Sequence, residues 1–376
     1  MFPQRASQAL LLCVAAAVGT LAAPSVLLQV SGPSSVVDIG NLKVVTTVTN
    51  TGDEPLKLLN DPRSPLSDLP TDTFTITNPH GTSPDFIGIA VKYVPHVAIA
   101  SDDPLVYTNL SPGQSVTIEH DLSVAYDFST SGTGPYVVNV KEFNTLYYVS
   151  QGHISALLAG NNLPNHAVNI SGSLIASRAR TPFSLDAEEC ENWQERAILT
   201  AIPVANKYIG GSLNLLAQDG YTGDHYKRWF GSASEHRLST VGSHFEALIG
   251  NNFTEFTFVC KTAFCSRKPG LYAYVYPDEF GRIHVCDTFF RSPVGGPDSR
   301  ASTIVHESSH FTRNGGTLDH AYGQTLTQEL ARSYPQLAVM NADNHEYFSA
   351  ASLDNDVKQP PVLLTQVHFG GESFRV

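Results

Sequence analysis

The sequence predicts an all-β, sandwich-like half followed by an α+β half that is mainly helical with a small antiparallel sheet. Three observations lead there. Between Val26 and about Ile175, short runs rich in β-branched residues, such as Leu42–Thr49 and Tyr136–Val140, alternate with turn signals such as Asn50-Thr51-Gly52-Asp53 and Ser111-Pro112-Gly113-Gln114. Over Glu191–Tyr208 and Tyr226–Gly250 the apolar residues recur at mixed three- and four-residue spacing, the period of a helix with one buried face. The chain has 376 residues, long for a single hydrophobic core, so two domains are expected.

The first element is a leader. Arg5 supplies a positive start, Ala9–Val18 an apolar run, and Thr20–Ala23 small residues that suit removal near Ala22. The apolar run is short for a membrane span, and no later stretch is long enough, so the mature chain is expected to be exported, extracellular and free of the membrane. Cys13 leaves with residues 1–22. Cys190, Cys260, Cys265 and Cys286 remain, an even set that reads as two disulfides with three connectivities open. No C-x-x-C pair supports a cysteine-bound zinc instead. Asn109, Asn169 and Asn252 each open an Asn-x-Ser/Thr triplet that an exported chain exposes to glycosylation.

The β half, residues 23–180, has no catalytic cluster visible in its sequence; its histidines are scattered. Ser177-Arg178-Ala179-Arg180 then forms a basic stretch that reads either as a processing site or as a solvated linker. Its position, between the motif-free half and the cysteine-bearing half, favours processing. In the second half, residues 181–349, strands are expected over Phe253–Cys260, Gly270–Tyr276 and Gly281–Phe290, and helices over Ser302–Asn314 and Thr325–Ser333. Residues 350–376, with Pro360-Pro361, read as an irregular tail. The formal net charge of −12 argues against nucleic acid as a partner, because phosphate binding needs a basic face.

The chemistry concentrates in one run. His306-Glu307-Ser308-Ser309-His310 fits H-E-x-x-H. On a helix, residues four apart share a face, so both imidazoles can bind one zinc ion, and Glu307 stands where it can polarise a water. A catalytic zinc needs a third protein ligand. A histidine six residues past His310 is excluded, because that residue is Gly316. Glu329 on a following helix and Asp319 beyond the Gly315-Gly316 turn stay in contention, with Asp319 preferred because the glycines can turn the chain back.

His306–His310 followed by Gly316-Thr317-Leu318-Asp319-His320-Ala321-Tyr322-Gly323 resembles the signature of the deuterolysin, or aspzincin, family of secreted fungal zinc metalloendopeptidases. Tyr272–Pro277 and Asn341–Phe348 are similar to its peptidyl-Lys branch. The resemblance covers most of Cys190–Ser349. It implies a zincin-like catalytic domain behind a β-rich pro-region that restrains it or assists its folding. It implies one Zn2+ on His306, His310 and Asp319, Glu307 as general base, and Tyr322 as donor to the developing oxyanion. It also implies disulfides Cys190–Cys260 and Cys265–Cys286, although the family leads us to expect fewer residues than Lys261–Phe264 between the middle two. Asp343 and Glu346 would form an acidic pocket for a lysine just after the cut bond of a protein or peptide substrate; the alternative is a helix-capping Asp343 and a solvated Glu346. Rival functions are a broad-specificity relative, a non-catalytic zinc-binding module, and a serine hydrolase built on Ser308 or Ser309. The last lacks a G-x-S-x-G elbow.

Overall fold

The computed structural model describes residues 24–141, 146–150, 152–157, 165–174, 190–219, 223–260, 262–266, 268–352, 367–369 and 372–374. The expected leader and the basic stretch at 177–180 lie outside them.

The first half begins with strands β1 (Val26–Ser31), β2 (Ser35–Val37), β3 (Lys43–Asn50), β4 (Leu56–Leu59) and β5 (Phe74–Thr77). Strands β6 (Asp85–Phe86) and β7 (Ala90–Tyr93) lead to the short helix α1 (Pro95–Ala100). Then come β8 (Tyr107–Leu110), β9 (Ser115–Asp121), β10 (Tyr126–Asp127) and β11 (Gly134–Val140). The half closes with β12 (Leu146–Ser150), β13 (His153–Leu157) and β14 (Asn165–Ser171). Alternation makes these strands: along β3 every second side chain from Val44 onward is buried, as a half-covered pleated surface requires. The strands form sheets in the orders β1-β3-β9, β2-β14-β11-β5 and β13-β12-β4-β8, with β6 paired to β10. Their buried faces share a core that includes Val44, Leu58, Phe74, Phe128, Tyr136 and Ile170.

The second half opens on α2 (Asn192–Asp219), longer than the sequence pattern suggested and continuous through Pro203. The helical pattern over 226–250 resolves into α3 (Asp224–Phe230) and α4 (Glu235–Ile249), divided at Gly231, which has φ 72° and packs against the Ala331 carbonyl. Strands β15 (Thr257–Val259), β16 (Leu271–Val275) and β17 (Arg282–Val285) follow, then α5 (Asp287–Arg291), α6 (Arg300–His310), α7 (Gln324–Ser333), α8 (Pro335–Ala338) and α9 (Ala342–Ala350). Strands β18 (Val367–Phe369) and β19 (Glu372–Phe374) pair with each other.

The expected small antiparallel sheet is mixed. The β16–β17 turn folds back so that β17, not β16, lies beside β15, and that reversal makes β15 and β17 parallel. The fourth strand of this sheet is β7, which pairs antiparallel with the outer edge of β16 and comes from the first half of the chain. A distinct core joins the halves there, holding Ile89, Val91 and Tyr93 against Leu271, Tyr274 and Tyr322. Among the described residues no helix is long and apolar enough to cross a membrane. Disulfides join Cys190 to Cys260 and Cys265 to Cys286.

Candidate active site

Helix α6 starts on a capping box: Ser299 Oγ accepts from the Ser302 amide at 3.1 Å while the Ser299 amide donates to Ser302 Oγ at 2.9 Å. Every residue from Ala301 to His310 is buried, with α2 and α9 packed on the helix. A buried helix carrying two histidines and a glutamate is costly unless each polar group has a partner, and the partners define the site.

His310 Nδ1 lies 2.7 Å from the Thr317 carbonyl and donates to it, which leaves Nε2 as the unprotonated nitrogen, turned towards His306 Nε2 and Asp319. The loop that carries Asp319 is fixed at both ends. Gly315 and Gly316 take φ of 122° and 62°, and the Gly316 amide returns to the Phe311 carbonyl. Farther on, Leu318 exchanges backbone hydrogen bonds with Met340 and Ala342, and Asn341 Oδ1 accepts from the His320 and Ala321 amides. Asp319 is thereby delivered to the histidines: its Oδ1 is 3.5 Å from both His306 Nε2 and His310 Nε2, which are 3.1 Å apart. A tetrahedral ion with ligand bonds of about 2.0–2.2 Å separates its ligand atoms by about 3.3–3.6 Å, so this triangle suits zinc. Asp319 Oδ1 and Glu307 Oε2 are both buried without a hydrogen-bond partner, as atoms facing an ion and its substrate need to be. Glu329, the other candidate, sits exposed on α7. Ser309 Oγ is taken by the His306 carbonyl and Thr317 Oγ1, in the wall of the helix rather than the cluster.

The electrostatics sort these groups. Burial pushes the Glu307 carboxyl up to about 8, against the pull of His306 and with the help of Asp319. His310 is driven down to about 4 by burial, so it stays neutral, the form that binds metal. Asp319 resists its own burial because His310 and His306 hold it below the usual carboxylate range. Tyr322, fully buried, is raised well above the ordinary phenol value and keeps its proton; its hydroxyl has no acceptor in the structure. The ring is held by Tyr93, edge to face at 5.7 Å, and by the Arg63 guanidinium 4.4 Å from its centroid.

A second acidic cluster lies behind His306. Asp343 and Glu346, on consecutive turns of α9, are both 0% exposed, so Glu346 is not the solvated surface group of the alternative reading. Asp343 Oδ1 is 2.8 Å and Glu346 Oε2 3.2 Å from His306 Nδ1. Asp343 Oδ2 accepts from the Gly323 amide, and Glu346 Oε1 from Ser302 Oγ. Asp298, which no motif marks, joins them: its Oδ1 accepts from Tyr347 and lies 3.0 Å from Lys92 Nζ. Lys92 itself is the residue that sequence reading missed most completely. Its ammonium stands 2.9 Å from Asp343 and 2.6 Å from Glu346 with no exposure. The signal available was a lone lysine in the apolar run Ile87–Val94, which cannot be buried there without carboxylates from elsewhere.

The sequence profile of the lysine-specific metallo-endopeptidases matches residues 215–350, the stretch that holds every one of these groups except Lys92, Arg63 and Tyr93. A "Peptidyl-Lys metalloendopeptidase" of Grifola frondosa is 44% identical over 345 residues, covering 91% of this chain and 97% of the relative. The chain belongs to the lysine-specific metallo-endopeptidase family. It is a zinc metalloendopeptidase of the aspzincin type. A second such relative, from Armillaria mellea, is 38% identical and covers 90% of this chain and 95% of its own length. A solved zinc peptidase from Grifola frondosa shares 43% identity, covering 44% of this chain and 98% of that one, with a TM-score of 0.41. Proteins or peptides are therefore the substrates of this enzyme.

Proposed function

We propose that the chain is the precursor of a secreted endopeptidase that binds one zinc ion through His306, His310 and Asp319 and cuts peptides immediately before lysine. In this reading residues 1–22 are the leader. Residues 23–180, which we read as a sandwich-like β domain, are a pro-region removed near Arg180, and 181–349 are the catalytic domain. The observation that carries the reading is that His306 faces two clusters at once: its Nε2 lies against His310 and Asp319 while its Nδ1 lies against Asp343 and Glu346. One imidazole thus separates the place of chemistry from an acidic pocket, about the reach of one side chain.

A bound zinc ion supplies a Lewis acid at this point. Glu307, whose buried Oε2 is left without a hydrogen-bond partner, accepts a proton from the attacking water and passes it to the leaving amine as the peptide bond breaks. Tyr322, held protonated, donates its O–H to the oxyanion of the tetrahedral intermediate. No covalent enzyme intermediate forms. Asp343 and Glu346 receive the lysine ammonium; a side chain without a cation leaves them buried and unbalanced, which is the source of discrimination.

The test is digestion of a mixed peptide library by the processed enzyme, with and without a zinc chelator, with the cut sites mapped by mass spectrometry. Chelator-sensitive cuts before lysine are expected, and replacing Asp343 by Asn together with Glu346 by Gln should lower kcat/KM for lysine sites by about 10²–10⁴-fold. Chelator-sensitive cuts with no lysine preference would leave a broad-specificity peptidase and remove the pocket.

A further inference from the structure

Strand β7 lies in the cleft as a substrate would, and from its geometry we infer that Ala90–Tyr93 is an internal substrate mimic, with Lys92 in the lysine pocket and the Val91–Lys92 peptide bond across the catalytic groups. The inference rests on reading Asp343 and Glu346 as that pocket. Four contacts carry it. The strand pairs antiparallel with the edge of β16, in the register Tyr274 to Val91 and Val275 to Ala90, which is strand addition to a free sheet edge. The Val91 carbonyl oxygen is 3.3 Å from His306 Nε2, on the side of the metal cluster. The Lys92 amide donates to Glu307 Oε1 at 2.7 Å, so the general base already holds the nitrogen that would become the leaving amine. The Lys92 ammonium is balanced by Asp298, Asp343 and Glu346 at 3.0, 2.9 and 2.6 Å. An ordinary structural ion pair accounts for the last contact. It does not require the backbone of the same residue to sit on the general base, nor the preceding carbonyl to face the histidines.

The strand is held as a blocker rather than as a substrate about to leave. On one side the Ile89 amide donates to the Pro70 carbonyl; on the other the Val94 amide donates to the Gly270 carbonyl and α1 follows at once. Val91 and Tyr93 are both part of the core that joins the two halves. With both flanks anchored, the two ends of a broken bond would stay in place. The tether also gives the strand an effective concentration of order millimolar, above that of a dilute external peptide.

Binding can be measured without turnover, on metal-stripped full-length chain, by fluorescence anisotropy of a labelled peptide with one internal lysine. The unaltered chain is expected to bind it at least tenfold more weakly than Lys92→Met. Because Lys92→Met leaves three carboxylates without a cation and could fail to fold, a second measurement uses the unaltered chain. Hydrogen exchange of residues 90–93 should rise on adding the lysine peptide at high concentration, and not on adding the same peptide with alanine in place of lysine. Equal binding by the two chains, or unchanged exchange in 90–93 while the lysine peptide binds, overturns the proposal. So does a full-length Lys92→Met that stays blocked while chain cleaved near Arg180 binds the probe. Cleavage between Val91 and Lys92 on adding zinc, with release of the strand, would make it a substrate and equally overturn the blocker. If the cleaved chain cuts before lysine in these failures, the pocket survives and only the mimic is lost; if it has no lysine preference, both fall.

Discussion

At the scale of single residues, burial and close neighbours shift the proton affinities of the groups gathered in the candidate site. Burial lifts Glu307, the proposed base, to about 8, and lowers His310, a proposed ligand, to about 4, so that its imidazole stays neutral. The role proposed for Tyr322 is the simplest and has the sharpest test. Its hydroxyl is buried, protonated and without an acceptor, and its ring is clamped between Tyr93 and Arg63. Arg63 is itself fixed by a buried pair with Asp61 at 2.8 Å and donates to the His320 carbonyl. Tyr322→Phe preserves the ring and removes only the donor. In the processed enzyme it should lower kcat about 10²–10³-fold with KM nearly unchanged; steady-state rates on a lysine peptide measure this. An unchanged kcat would take Tyr322 out of the reaction.

At the scale of elements, the site depends on how α6 ends. The helix stops at His310 and the chain must reverse within a few residues to bring Asp319 back to the histidines. Gly315 makes that possible: its φ of 122° is outside the range of other residues, and a Cβ there would meet the His244 ring of α4 at 2.3 Å. Gly315→Ala should therefore loosen the turn that carries Asp319, destabilising the domain by more than about 1 kcal/mol. Zinc affinity should fall about 10–100-fold, as for other losses of ligand support. Competition against a chromophoric chelator reads the second effect, and full affinity with an intact melting temperature would show that the loop tolerates a side chain. The sequence pointed to this reversal through its Gly-Gly pair. It gave no sign that β7 would complete the sheet, because the partners Tyr274 and Val91 are far apart along the chain.

At the scale of the whole molecule, several histidines are buried as neutral groups. Burial lowers His120 and His244 to about 4 and His284 and His345 to about 3. His345 illustrates the reason: its Nδ1 donates to the Asn341 carbonyl, and its Nε2 meets His244 Nδ1 at 3.1 Å, a pairing of two neutral rings. A histidine with a depressed folded pKa takes up its proton more readily when unfolded. Its contribution is fully present above the unfolded value of about 6.5 and is lost as the pH falls towards the folded value of about 4 or 3, at about 1.4 kcal/mol per pH unit for each such group. Denaturant midpoints should accordingly fall steeply between pH 6.5 and 4. A flat profile there would mean that these rings are protonated in the folded chain.

What could be read from the sequence by itself is local: the H-E-x-x-H pair on one helical face, the glycine turn with Asp319 preferred after it, and four cysteines in one half, whereas the acidic pair on α9 came from the family resemblance. Each of the first three needs only spacing along one element or one short loop to be read. The alternation in strands such as β3 was legible for the same reason. The tertiary structure alone decided which carboxylates share a pocket and what sits in it. Lys92 meets Asp298 across 206 residues of sequence and Asp343 across 251, and Arg63 meets His320 across 257. No periodicity encodes such contacts. They follow from folding the first half against the second, where a lysine too costly to bury alone finds the carboxylates that balance it.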